Sequence, residues 1–128
     1  MTERELALRR AIVLAFAARG APPPPDDREA LDALAERHVV VLDEAGRIAM
    51  AHPFAAPGAA TTVEAGERTW WGSCAWDGLG IVAALGLREA AVTSGGVTVR
   101  VRDGEPLDQA VFHVEVPARR WWDDIAYT

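Results

Sequence analysis

A chain of 128 residues, half of them hydrophobic and a quarter charged, is long enough to bury one core and make a single domain, or a small one with an appended subdomain. Its net charge of −6, with arginine as the only strong base because lysine is absent, excludes a general polyanion binder, which needs a clustered basic surface, so no nucleic-acid partner is expected. No apolar run approaches the roughly 20 residues that cross a bilayer. The longest, Ala11 to Ala18, follows a charged segment without a cleavage-site pattern, so neither a membrane anchor nor a signal peptide is expected. A single cysteine, Cys74, excludes an internal disulfide and suits a reducing cytoplasm.

In chain order, Glu3 to Arg19 reads as an amphipathic helix ended by Gly20, with Leu6, Ile12, Val13 and Phe16 near the helical period. Pro22 to Pro25 is a stiff spacer with polyproline character. Asp26 or Asp27 can cap a second helix reaching about Arg37. Val39 to Leu42 and Arg47 to Met50 then flank Asp43-Glu44-Ala45-Gly46, the signature of a hairpin. Two helices and a hairpin make an abbreviated winged-helix-like unit. It lacks the further helix of a DNA reader, and its second helix is acidic, so its expected role is packing.

After a linker from His52 to Gly58, Thr61 to Glu64 is an expected strand with a turn at Ala65-Gly66. A helix beginning near Cys74 and ending around Gly86 follows, then strands at Ala91 to Thr93 and Val97 to Val101 joined through Ser94-Gly95-Gly96. Val111 to Val116 reads as one more strand, and Pro117 starts a last helix. The expected class is α+β: a helical, winged-helix-like part over 1–57, then a small mixed sheet with flanking helices over 58–128.

The chemistry concentrates in Trp70-Trp71-Gly72-Ser73-Cys74-Ala75-Trp76-Asp77. A helix N-terminus presents unpaired N–H groups and a positive dipole end, which favour a thiolate. Positions i and i+3 share a helix face, so Cys74 and Asp77 can meet. Asp77, between Trp76 and Leu79, is expected to be desolvated and so raised toward a usable acid, provided it faces inward. The bland alternatives are a small buried cysteine and a carboxylate complementing the helix dipole. His52, before Pro53, reads as a loop residue with local hydrogen bonds, and His113 with Glu115 as a solvated pair on one strand face. Three scattered histidines and one cysteine do not have zinc-site spacing. The tryptophans are core material, with Trp71 and Trp76 as candidates for an apolar pocket wall and Trp121-Trp122 as a homodimer contact.

The run Cys74-Ala75-Trp76-Asp77-Gly78-Leu79-Gly80 resembles the catalytic motif of the alkylmercury (organomercurial) lyase family. His52-Pro53-Phe54 and the segment Pro117-Ala118-Arg119-Arg120-Trp121-Trp122-Asp123-Asp124-Ile125 are similar to small bacterial members, so the resemblance covers most of the chain. It implies cleavage of a carbon–mercury bond, with Cys74 as the thiolate that takes the soft metal and Asp77 as the acid that protonates the leaving carbon. The ligand implied is a small organometallic, with Hg(II) or another soft metal as substrate or product and no resident cofactor. The family's mechanism uses a second cysteine from a later strand. The comparable stretch here, Ala110 to Val116, has none: Val111, or Phe112 with the register slipped by one, takes its place. Val111 and His113 are therefore the expected pocket residues on that strand, with His113 or an external thiol in the missing role. Members of the family often continue beyond the position of Thr128, which implies a more open pocket here. The alternative function is a non-catalytic binder of a small molecule or soft metal on the same scaffold; a regulatory protein using the winged-helix-like half is a third.

Overall fold

The computed structural model describes residues 1–111, 113 and 115–125. Helix α1 (Glu3–Arg19) begins in a capping box, the Thr2 hydroxyl accepting from the Glu5 N–H while the Glu5 carboxylate accepts from the Thr2 N–H. Such a cap contributes about 1 kcal/mol. The helix ends at Gly20 in the left-handed region, where glycine is required twice over: a Cβ there would lie 2.5 Å from the Thr69 carbonyl oxygen. Helix α2 (Arg28–Glu36) is capped by Asp27, which also pairs with Arg4 of α1. These two helices lie where the sequence places them, while the first strand of the hairpin is shorter than expected, starting at Val41 rather than Val39.

The strands are β1 (Val41–Leu42), β2 (Ile48–Ala51), β3 (Phe54–Ala55), β4 (Thr61–Ala65), β5 (Arg68–Gly72), β6 (Glu89–Ser94), β7 (Val97–Arg102) and β8 (Glu105–Pro106). They form one sheet in the order β1-β2-β3-β5-β4-β6-β7-β8. The class is α+β as expected, with one correction: every pairing is antiparallel, where a mixed sheet was expected. Turns at Gly46, Gly66 and Gly95-Gly96 make hairpins of β1–β2, β4–β5 and β6–β7, while β3 against β5 and β4 against β6 are antiparallel neighbours that are not consecutive in the chain. Segment 1–57 contributes β1 to β3 to the same sheet, joined to the remainder through Ala55 opposite Trp71.

Helix α3 (Ala75–Leu85) packs on the sheet between Cys74 at its N-cap and Gly86 at its left-handed C-cap. Its backbone can approach because Gly78 has no side chain: a Cβ there would sit 2.6 Å from Val92 Cγ1 and 2.9 Å from Thr61 Cγ2. One core joins the N-terminal helices to the sheet. Phe16 of α1 stacks on Phe54 of β3 with centroids 5.6 Å apart, and Trp70 Nε1 of β5 donates to the Ala17 carbonyl at 3.0 Å. Burying each such aromatic contributes about 1.5–3 kcal/mol.

The stretch expected as a strand from Val111 to Val116 is not one at residues 111, 113, 115 and 116; Phe112 and Val114 lie outside the described residues. The final helix is a single 3-10 segment, η1 (Ala118–Asp123), held by Trp121 Nε1 donating to the Val116 carbonyl at 2.7 Å.

Candidate functional site

Cys74 is the N-cap of α3 and Asp77 lies in its first turn, three residues on. Cys74 has the extended backbone of an N-cap residue, and its side chain makes no capping bond to the helix N–H groups, which leaves the thiol available to Asp77 three residues on. The Cys74 thiol stands near enough to the Asp77 carboxylate to add the smallest of the influences that lower its pKa. The Ser73 hydroxyl donates to Asp77 Oδ2 at 2.6 Å. Asp77 reaches this position because Gly72, at the end of β5, leaves room; a Cβ there would lie 3.1 Å from that of Asp77.

A fourth group comes from outside the motif. His52, in the β2–β3 turn, places Nδ1 3.7 Å from Asp77 Oδ1, an ion-pair distance rather than a good hydrogen bond. The Asp77 side chain is 15% exposed and that of His52 40%. Burial pushes the Asp77 carboxyl up, but His52, Ser73 and Cys74 as donors, together with the charge of His52, outweigh it and hold the group below the ordinary carboxylate range. The expected upward shift is thereby corrected: the side chain does face inward, but burial is not the only force on it. His52 is raised by Asp77 as acceptor and, less, by its charge, against the lowering effect of burial. The reading of His52 as a local loop residue is likewise replaced by a tertiary contact.

Trp122 of η1 covers this side of the site. It stacks on His38 with centroids 4.0 Å apart and meets His52 edge-on at 6.4 Å. Of the expected pocket residues, Trp71 is half-buried with its ring edge 3.4 Å from the position of a Cβ on Gly20, toward the end of α1, and Trp76 is exposed beside Cys74. Val111 is 96% exposed and His113 is also exposed. Thus the histidine paired with Asp77 is His52.

Two cavities flank these elements. One of about 500 Å³ lies under the C-terminal half of α3, lined by Leu79, Val82, Leu87 and Val101, with Arg88 and Asp103 at its polar end. The other, about 320 Å³, is bounded by Ile12, Val13, Val40, His38 and His52. Cys74 lines neither, so the larger cavity is set apart from the chemistry, while the smaller adjoins it through His52. Among the described residues no group of three or more His, Cys, Asp or Glu side chains is arranged to hold a metal ion, and no helix is long and apolar enough to cross a membrane.

Comparison with solved structures finds the same fold in the mercury-bound form of MerB2, at a TM-score of 0.64 and 18% sequence identity. The match covers 84% of this chain and 60% of that one, so the chain spans about three-fifths of the length of its structural neighbour. No family model matches, and no curated protein matches in sequence.

Proposed function

We propose that the chain is an alkylmercury-lyase-like protein that takes a small organomercurial on Cys74 and protonates its carbon from Asp77. The observation that carries this reading is the placement of the lone thiol, Cys74, at the N-cap of α3 with the inward-facing carboxylate of Asp77 in the same first turn. The fold shared with MerB2 supports it.

The steps balance without a redox partner. Mercury, a soft cation, bonds to the Cys74 sulfur, displacing its existing anionic ligand. The thiol proton passes to Asp77, which starts as a carboxylate because its pKa is held low. The carbon–mercury bond then breaks with its electron pair on carbon, Asp77 returns the proton to that carbon, and the hydrocarbon leaves. Hg(II) stays on Cys74 until external thiolates remove it, the role that a second protein cysteine would otherwise fill. Positioned proton transfer of this kind contributes about 10²–10⁴-fold in rate.

A second reading, a binder that captures a soft metal or mercurial without cleaving it, is favoured by one observation: Cys74 is the sole cysteine of the sequence. Benzene release from phenylmercury in a single turnover separates the two. Release that depends on Cys74 supports the lyase; stoichiometric capture without release supports the binder.

A further inference from the structure

The two oxygens of Asp77 are engaged from two separate elements. Ser73, next to Cys74 in sequence, engages Oδ2 at 2.6 Å, and His52, from the turn between β2 and β3, faces Oδ1 at 3.7 Å. An aspartate in a first helical turn has two side-chain torsions of its own. A partner on one oxygen leaves the carboxylate free to swing about that bond; partners on both oxygens restrict its plane.

The turn carrying His52 is itself held. The Pro53 carbonyl oxygen lies 3.4 Å from the position of a Cβ on Gly72, and Pro53 Cβ lies the same distance from that on Gly80, so the turn is wedged between β5 and α3. Trp122 meets the imidazole edge-on, with centroids 6.4 Å apart. His52 is thus a braced polar partner of the carboxylate in the first turn of α3.

We infer that His52 is a positioning residue: it holds the Asp77 carboxylate facing Cys74 by giving Oδ1 a polar partner from another element. This rests on Cys74 and Asp77 being the reacting pair. His52 acts through Asp77, so its effect disappears when the carboxylate does. A histidine that only packed against Trp122 would act whether or not Asp77 were charged.

The test is a double-mutant cycle read by the rate at which iodoacetamide alkylates Cys74 at neutral pH, a measurement that involves no mercurial. His52→Leu removes the donor and keeps most of the bulk. His52→Asn keeps a nitrogen donor at nearly the place of Nδ1. The side chain is 40% exposed, so neither change opens the core. Without a polar partner on Oδ1 the Asp77 charge bears more fully on the sulfur and the thiolate is disfavoured. The expected result is slowing of about tenfold in His52→Leu, within the coupling range of contacting residues. His52→Asn should recover most of the rate, and in an Asp77→Asn background His52→Leu should change nothing further. Unchanged alkylation in His52→Leu, no recovery in His52→Asn, or the same slowing in the Asp77→Asn background would each overturn the inference. Benzene release is followed in parallel; if the wild-type chain captures phenylmercury but releases none, the lyase reading fails and the alkylation cycle still decides the role of His52.

Discussion

His52 Nδ1 and Asp77 Oδ1 stand 3.7 Å apart, one on the β2–β3 turn and the other in the first turn of α3. That contact turns a local Cys-x-x-Asp pattern into a tertiary site. It gives the carboxylate a partner from the half of the chain that also builds the N-terminal helices.

Cys74→Ser should abolish stoichiometric capture of phenylmercury, measured by equilibrium dialysis, because a hydroxyl is a poor ligand for a soft cation. The fold should be retained or gain up to about 1 kcal/mol, since serine is a better N-cap than the cysteine that makes no capping bond here. Tight capture by the variant would show that mercury binds elsewhere.

Asp77→Asn should leave capture intact and slow benzene release by about 10²–10⁴-fold, because the amide neither accepts the thiol proton nor returns it to carbon. Rapid-quench single-turnover kinetics reads this directly. Release at the wild-type rate would exclude Asp77 as the acid.

Stability should depend on pH through the same pair. His52 is raised in the folded state, so its contribution is present below its unfolded pKa and is lost as pH rises through the folded one. Asp77 is lowered, so its contribution is present above its unfolded pKa and is lost as pH falls through the folded one. The pair therefore stabilises most between about pH 4 and 6.5, the ordinary values of the two groups. Urea midpoints across that range should show a maximum that Asp77→Asn flattens; an identical pH dependence in the variant would mean the contact contributes nothing.

Gly78→Ala tests how α3 is seated. Alanine improves intrinsic helix propensity by about 1 kcal/mol, but the added Cβ falls 2.6 Å from a methyl of Val92 and 2.9 Å from one of Thr61, both buried. Overpacking of this kind costs about 1–3 kcal/mol, so net destabilisation is expected in urea unfolding. A stabilised variant would mean that α3 can lift from the sheet without cost.

Much of this was legible from local rules. The Gly20 and Gly86 ends, the Asp27 cap, the hairpin around Gly46 and the start of α3 at Cys74 all follow from residues a few positions apart. What was missed is tertiary. Phe54–Ala55 lies among prolines and glycine and becomes a strand because the flanking β2 and β5 hold it. Arg68–Gly72 sits between β3 and β4 in the sheet, a placement that no local pattern marks. His52 had no sequence signal beyond lying before a proline, and nothing local connects it to Asp77. The pKa direction of Asp77 went wrong for the same reason: burial can be guessed from neighbouring apolar residues, whereas donors converging from two elements cannot.

The most direct measurement is single-turnover reaction of the full chain with phenylmercury under excess free thiol, counting benzene released and mercury bound per chain. The account predicts about one benzene per chain, abolished by Cys74→Ser and slowed by Asp77→Asn. Mercury bound one to one with no benzene formed would contradict it and leave a soft-metal trap.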